Sequence, residues 1–275
     1  MGMVINTNTM SINAQRNLSK TSSSLSTSMA RLSSGQRITA AKDDAAGLAI
    51  SEKMKAQIRG LAQAERNAND GISLVQTAEG AMDEISGMLI RMRELAVQSA
   101  NGTTDSDQKG FLNNEFGELA SEISRIANST EFNGTNLTDG STTSVTLQVG
   151  IKNDTDSKIS VSLMDVTASG LSVDTGTETI DTATNALSAI DALDTAITDL
   201  SEQRGVLGAA QNRLDSTVRN LATTRENLSA SNSRIRDVDV AEESVSMTRS
   251  QILMQAGTAV LAQANGVPSM ALSLI

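Results

Sequence analysis

Residues 200–235 read LSEQRGVLGAAQNRLDSTVRNLATTRENLSASNSRI, and within them Leu200, Leu207, Leu214, Leu221, Leu228 and Ile235 fall seven residues apart. Sustained spacing by seven keeps one narrow apolar seam on a helix, and such a seam leaves water only against another helix. The first half of the chain repeats the interval with Leu61, Ala68, Val75, Met82, Leu89 and Ala96. These residues are read as the packing seams of two long helices, and the protein as one that works by assembly.

Composition supports that reading. In 275 residues aromatic side chains make up 1%, with no tryptophan or tyrosine, so aliphatic seams rather than a compact aromatic core do the packing. The single proline, Pro268, leaves everything before it free of ring-induced breaks. The absence of histidine and cysteine excludes Ser-His-Asp and Cys-His catalysis, disulfides and most zinc, haem and iron–sulfur ligation. No enzymatic activity and no cofactor are expected. A net charge of −10 disfavours nucleic acid, whose phosphates need a basic groove. The most apolar C-terminal stretch, 252–262, carries Gln255 and is too short to span a bilayer, so no membrane insertion is expected. Residues 1–13 lack the basic flank and apolar core of a cleaved secretion signal.

Along the chain, residues 4–33 place Val4, Ile5, Ile12, Leu18, Leu25, Met29 and Leu32 at mostly helical intervals, but 21–28 is nearly all serine and threonine, which makes a helix marginal by itself. Gly35 and Lys42-Asp43-Asp44 mark a connector, with Asp43 or Asp44 capping a helix over about 45–100. At 1.5 Å per residue that helix is roughly 80 Å long. A second helix over about 106–128 carries Phe111, Leu112, Phe116, Leu119, Ile123 and Ile126 on one side and folds back on the first. Alternation through Val145, Leu147, Val149 and Ile151, then Ile159, Val161 and Leu163, predicts a β-hairpin turning at 153–157. Helix resumes over about 182–235, restarts at an Asp239 cap, and stops at Asn265-Gly266-Val267-Pro268. The fold expected is mainly α, an elongated antiparallel helical bundle with one small hairpin. It divides into 1–44 with 236–275, the terminal helices and their connector, and 45–235, a helical rod with its hairpin at about 143–166.

Arg31-Leu32-Ser33-Ser34-Gly35, Ala41-Lys42-Asp43-Asp44-Ala45-Ala46-Gly47 and Arg66-Asn67-Ala68-Asn69-Asp70-Gly71-Ile72-Ser73 resemble the N-terminal signature of bacterial flagellin. Arg93-Glu94-Leu95-Ala96-Val97-Gln98-Ser99-Ala100-Asn101, Phe132-Asn133-Gly134, Gln255-Ala256-Gly257 and Leu261-Ala262-Gln263-Ala264-Asn265-Gly266-Val267-Pro268 extend the likeness to both ends. Only a short polar stretch separates the hairpin from the returning helix, so the chain resembles a minimal flagellin with core domains alone. The resemblance implies an extracellular filament subunit, exported unfolded through the flagellar type III apparatus, whose terminal helices pair in the filament and line its channel. It implies a homopolymer, with other flagellins as possible co-subunits, and as partners an export chaperone, the filament cap and hook-filament junction proteins.

Ile5, Ile12, Leu18, Leu25, Met29, Leu32, Ile252, Leu253, Val260 and Leu261 are the candidates for subunit assembly. Ile252, Leu253, Val260 and Leu261 are also those for the chaperone. Leu61, Val75, Met82, Leu89 and the 200–235 row are assigned to rod packing. Arg91, Leu95 and Glu115 match positions through which the flagellin-sensing Toll-like receptor binds many flagellins; lateral contact between subunits is the compatible, plainer role. Asp237, Asp239, Glu242 and Glu243 are read as cap and dipole partners rather than a cation site, and Met54, Met82, Met88 and Met92 as packing. Hydroxyls from Ser129 to Thr143, Thr138 among them, lie in a polar surface loop where some flagellins carry O-linked sugars; they are read as unmodified turn residues, with glycosylation the alternative. A hook-filament junction protein and a coiled-coil adaptor binding one partner helix are the competing readings.

Overall fold

The structure, a computed structural model, describes residues 7–174, 176 and 178–272, with side chains described through 266. Five helices occur among the described residues: α1 (Thr9–Ser34), α2 (Ala45–Ala100), α3 (Ser106–Ser129), α4 (Ala183–Arg236) and α5 (Val240–Leu272). Among the described residues between α3 and α4 stand four strands: β1 (Glu131–Phe132), β2 (Thr135–Asn136), β3 (Ser144–Gln148) and β4 (Lys158–Ser162). The chain divides into two compact units, residues 59–225 and residues 1–58 with 226–275, so α2 and α4 each contribute to both.

In the 59–225 unit the two seams are the core. Ala68, Val75, Met82, Leu89 and Ala96 of α2 are fully buried, as are Leu200, Leu207 and Leu214 of α4, with Leu61 and Leu221 nearly so. The direction of packing is displayed by surface ion pairs: Arg93 Nε to Asp194 Oδ1 at 2.6 Å, Arg204 Nη2 to Asp83 Oδ1 at 2.9 Å and Arg225 Nη1 to Glu65 Oε2 at 2.9 Å. As one partner advances along α4, the other retreats along α2, which makes the pair antiparallel. The α3 helix folds back across a short break, with Phe116, Ala120, Ile123 and Ala127 joining the same core. Phe111, expected on that apolar side, is instead 73% exposed.

The longer hairpin pairs β3 with β4 antiparallel, from Ser144 opposite Ser162 to Gln148 opposite Lys158. Its ladder is shorter than the alternation suggests: Val149 and Ile151 lie in the connection, where Asp154 accepts from Ser157 N at 2.9 Å and starts a single 3-10 turn. Ile159 and Val161 face the helices, while Asn67 Nδ2 donates to Gln148 O at 2.9 Å and Gln203 Nε2 to Ser162 O at 2.8 Å. A second hairpin, β1 with β2, closes through Asn133 (φ 51°) and Gly134 (φ 76°). The single hairpin expected from the alternation, at about 143–166, does not include this segment. The Asn-Gly pair is the signal that marks it, since two consecutive positive φ values define the tight turn these residues tolerate best.

Candidate functional site

The unit formed by 1–58 and 226–275 holds the helices to which assembly was assigned. Serine and threonine, poor in a helix interior because their hydroxyls compete for the backbone, turn those hydroxyls inward here: Thr21 donates to Asn17 O, Ser24 to Lys20 O and Thr27 to Ser23 O, each at 3.0–3.1 Å. The apolar row Leu18, Leu25 and Leu32 is half-buried. It packs on α5, which runs antiparallel to α1 with Cα atoms within 8 Å across the pair. Gly257 permits that approach, since a Cβ there would stand 3.2 Å from Leu18 Cδ1.

Polar contacts set the register at both ends. At one end Asn8 Oδ1 accepts from Ser11 N at 3.0 Å, Asn8 Nδ2 donates to Ala264 O at 2.7 Å, and Ser11 Oγ donates to Asn265 Oδ1 at 2.7 Å. At the other, Arg31 Nη1 stands 3.6 Å from Glu243 Oε2. Beyond it the α1–α2 and α4–α5 connectors are clipped together, Arg37 N donating to Arg236 O at 2.7 Å and Val238 N to Gly35 O at 3.1 Å. Asp239 Oδ1 accepts from Ala241 N at 2.8 Å and starts α5, and Asp44 Oδ1 accepts from Gly47 N at 2.8 Å and starts α2. Asp43 instead closes the connector turn. Its carboxyl accepts from the Thr39 hydroxyl and from the Ala40 and Thr39 amides, which hold it below its ordinary 3.8.

The assembly candidates therefore fall into two sets. Leu18, Leu25, Leu32 and Leu261 are half-buried, while Ile12, Met29, Ile252 (60% exposed), Leu253 and Val260 (59%) stand in solvent. Ile5 lies outside the described residues. Val245, missed in the sequence although it stands seven before Ile252, is 62% exposed. With Ser244, Thr248, Arg249, Ile252 and Leu253 it lines an open groove of about 500 Å³ on α5. One boundary needs correction: α5 does not stop at 265–268 but continues to Leu272, with Pro268 inside it.

In the other unit Arg91 donates from Nε and Nη2 to Glu115 Oε1 at 3.1 and 2.8 Å, and from Nη1 to Glu94 Oε2 at 3.0 Å, all at the surface. Leu95, grouped with them in the sequence, is 1% exposed and belongs to the core. Thr138 is also buried, its Oγ1 donating to Ala127 O at 2.8 Å, which removes it from the surface hydroxyls. Leu228 and Ile235, the last two members of the 200–235 row, fall in the terminal unit and are half-buried there. No helix among the described residues is long and apolar enough to cross a membrane.

Known proteins share much of this sequence. Residues 5–143 match the family model described as the bacterial flagellin N-terminal helical region, and 190–275 match the bacterial flagellin C-terminal helical region. The chain is similar to a flagellin of Halalkalibacterium halodurans, 50% identical over 273 residues that cover 99% of this chain and all of that one. A flagellin of Bacillus subtilis is 42% identical over 307 residues, again covering 99% of this chain and all of the relative. Among solved structures, Bacillus cereus flagellin is 33% identical, covers 57% of this chain and 88% of its own, and superposes with a TM-score of 0.50.

Proposed function

The chain belongs to the bacterial flagellin family, in a compact form without a large outer domain, and is a structural subunit of the extracellular flagellar filament; from that premise we propose which surfaces build the polymer and which meet other partners. The family polymerises with copies of itself. Residues 1–44 with 236–275 form the inner tube around the channel, and 45–235 form the surrounding wall. Leu18, Leu25, Leu32 and Leu261 pack α1 on α5, whereas Ile12, Met29, Ile252, Leu253 and Val260, with Ile5, are covered by neighbouring subunits. The seams at Leu61, Val75, Met82, Leu89 and 200–235 stiffen the wall.

One observation carries this reading: Val245 and Ile252, then Leu253 and Val260, keep the seven-residue interval of a buried seam on a helix face that a single chain leaves open. Copies of the same chain supply the missing cover, and burying two such residues contributes about 1.5–3 kcal/mol each. The same row offers an export chaperone its contact before polymerisation, and the free ends of the polymer offer theirs to the cap and hook-filament junction proteins. Export proceeds through the flagellar type III route. Arg91 and Glu115 form the surface that the flagellin-sensing Toll-like receptor reads, with Leu95 holding it from beneath; subunit contacts cover it in the filament.

The double variant I252D/V260D, in which both changes fall on exposed positions, is expected to keep the helical content of the monomer and to lose seeded elongation. Elongation at the parent rate would overturn the assignment. Deleting 1–30 or 245–275 is expected to leave a soluble helical core that cannot elongate. For the receptor, R91A monomer is expected to activate less than the parent monomer, and intact filament not at all; undiminished activation by R91A sinks that part alone.

A further inference from the structure

Pro268 lies within α5 and brings no N–H to its hydrogen-bond ladder, so the carbonyl four residues back, that of Ala264, loses its intrahelical donor. Ala264 is buried, where a carbonyl without a donor is costly. The donor comes from the opposite end of the chain, as Asn8 Nδ2 reaches Ala264 O at 2.7 Å. The same side chain uses its oxygen to accept from Ser11 N at 3.0 Å and so caps α1. One partner needs an acceptor and the other a donor, which fixes the amide's orientation.

We propose that Asn8 is the register residue of the terminal helix pair: it supplies the proton donor that Pro268 withholds, and so permits α1 to dock on α5 at one position only. The proline removes a bond from α5 and thereby makes a gap that a single side chain of α1 fills. Only a short amide does both tasks. A carboxylate at that position keeps the cap but offers the carbonyl a second acceptor, and alanine does neither. Ser11 Oγ on Asn265 Oδ1, one residue along from Ala264, repeats the register with a second bond. Sliding α1 along α5 by a residue would leave Ala264 O unmatched and turn Leu18, Leu25 and Leu32 away from the groove opened by Gly257. The inference rests on the assembly reading above, because the pair is what the inner tube is built from.

The test is a double-mutant cycle on the full chain with N8D, P268A and N8D/P268A, read as the critical concentration for elongation from parent seeds, with helical content followed alongside. N8D preserves the capping oxygen and sits favourably at a helix N-terminus, so its effect isolates the lost donor. With Pro268 in place, N8D is expected to raise the critical concentration roughly tenfold. In the P268A background, where the alanine N–H restores the intrahelical bond, the same change is expected to raise it less than about threefold. Should N8D abolish elongation altogether, recovery in N8D/P268A supports the proposal. An equal loss in both backgrounds overturns it, and parent filaments that still grow in that case leave the assembly reading standing. Failure of the parent chain to elongate at all would instead strike the assembly reading.

Discussion

Neighbouring residues of α4 illustrate how much position decides. Leu207 is fully buried in the seam, while Val206 beside it is exposed. We expect L207A to destabilise the monomer by about 2–5 kcal/mol, since the cavity adds to the lost burial, and V206A to change it by less than about 0.5 kcal/mol. Urea unfolding followed by circular dichroism measures both, and similar losses would refute the seam. Backbone geometry argues the same way at Gly134. Its φ of 76° is open to glycine but costs another residue about 1 kcal/mol, so G134A is expected to lower stability by that amount and to loosen the β1–β2 hairpin. Loss of amide-exchange protection at Phe132 and Thr135 would register it. The seven-residue interval announces Leu207, because periodicity is a property of the helix itself. Helical spacing in α3 is less decisive, since it groups Phe111 with Leu112 and Phe116 although Phe111 is 73% exposed: spacing gives the face a residue shares, and the elements opposite decide how far along the helix that face is covered.

At the scale of elements, each break in the chain has a local cause that sequence displays. Asp44 and Asp239 accept the first amides of α2 and α5, and the helices begin where those caps stand. D239A is expected to cost about 1 kcal/mol and to fray α5, seen as lost helical signal at 222 nm and a lower melting midpoint. The end of α5 is the exception. A proline reads as a stop when its missing bond goes unreplaced, but here a side chain 256 residues away in sequence replaces it, and no local pattern can show that. The β1–β2 hairpin is legible in Asn133-Gly134, yet its two-residue strands are too short for alternation to reveal. Among the assembly candidates, amphipathic spacing identifies the rows on α1 and α5. Which members face the partner helix and which remain open is settled by the rotation of the two helices about their shared line.

For the molecule as a whole, charge sets the conditions under which the fold holds. Asp194 is held below its ordinary 3.8 by the Arg93 guanidinium, Asp139 by the Ser141 hydroxyl and Asn136 amide, Asp181 by Asn185 and Thr179, and Asp43 by Thr39 and Ala40. A carboxyl depressed in the folded state favours folding above its ordinary value, and that contribution is lost as pH falls through the lower, folded one. With no histidine in the chain, nothing of the imidazole kind titrates near neutrality. The melting midpoint is therefore expected to be level between about pH 5 and 8 and to fall below about pH 4. A step near pH 6.5 would contradict this account. What the sequence alone determined was the helical class, the two seams, the caps and the family, because each is written in residues close together or evenly spaced along one helix. The meeting of distant elements is what buries Leu95 in the core, leaves the α5 row open in the single chain and brings Asn8 to the carbonyl of Ala264. Each depends on which distant surface arrives at a residue, and that is fixed by the packing of whole helices rather than by any neighbour in the chain.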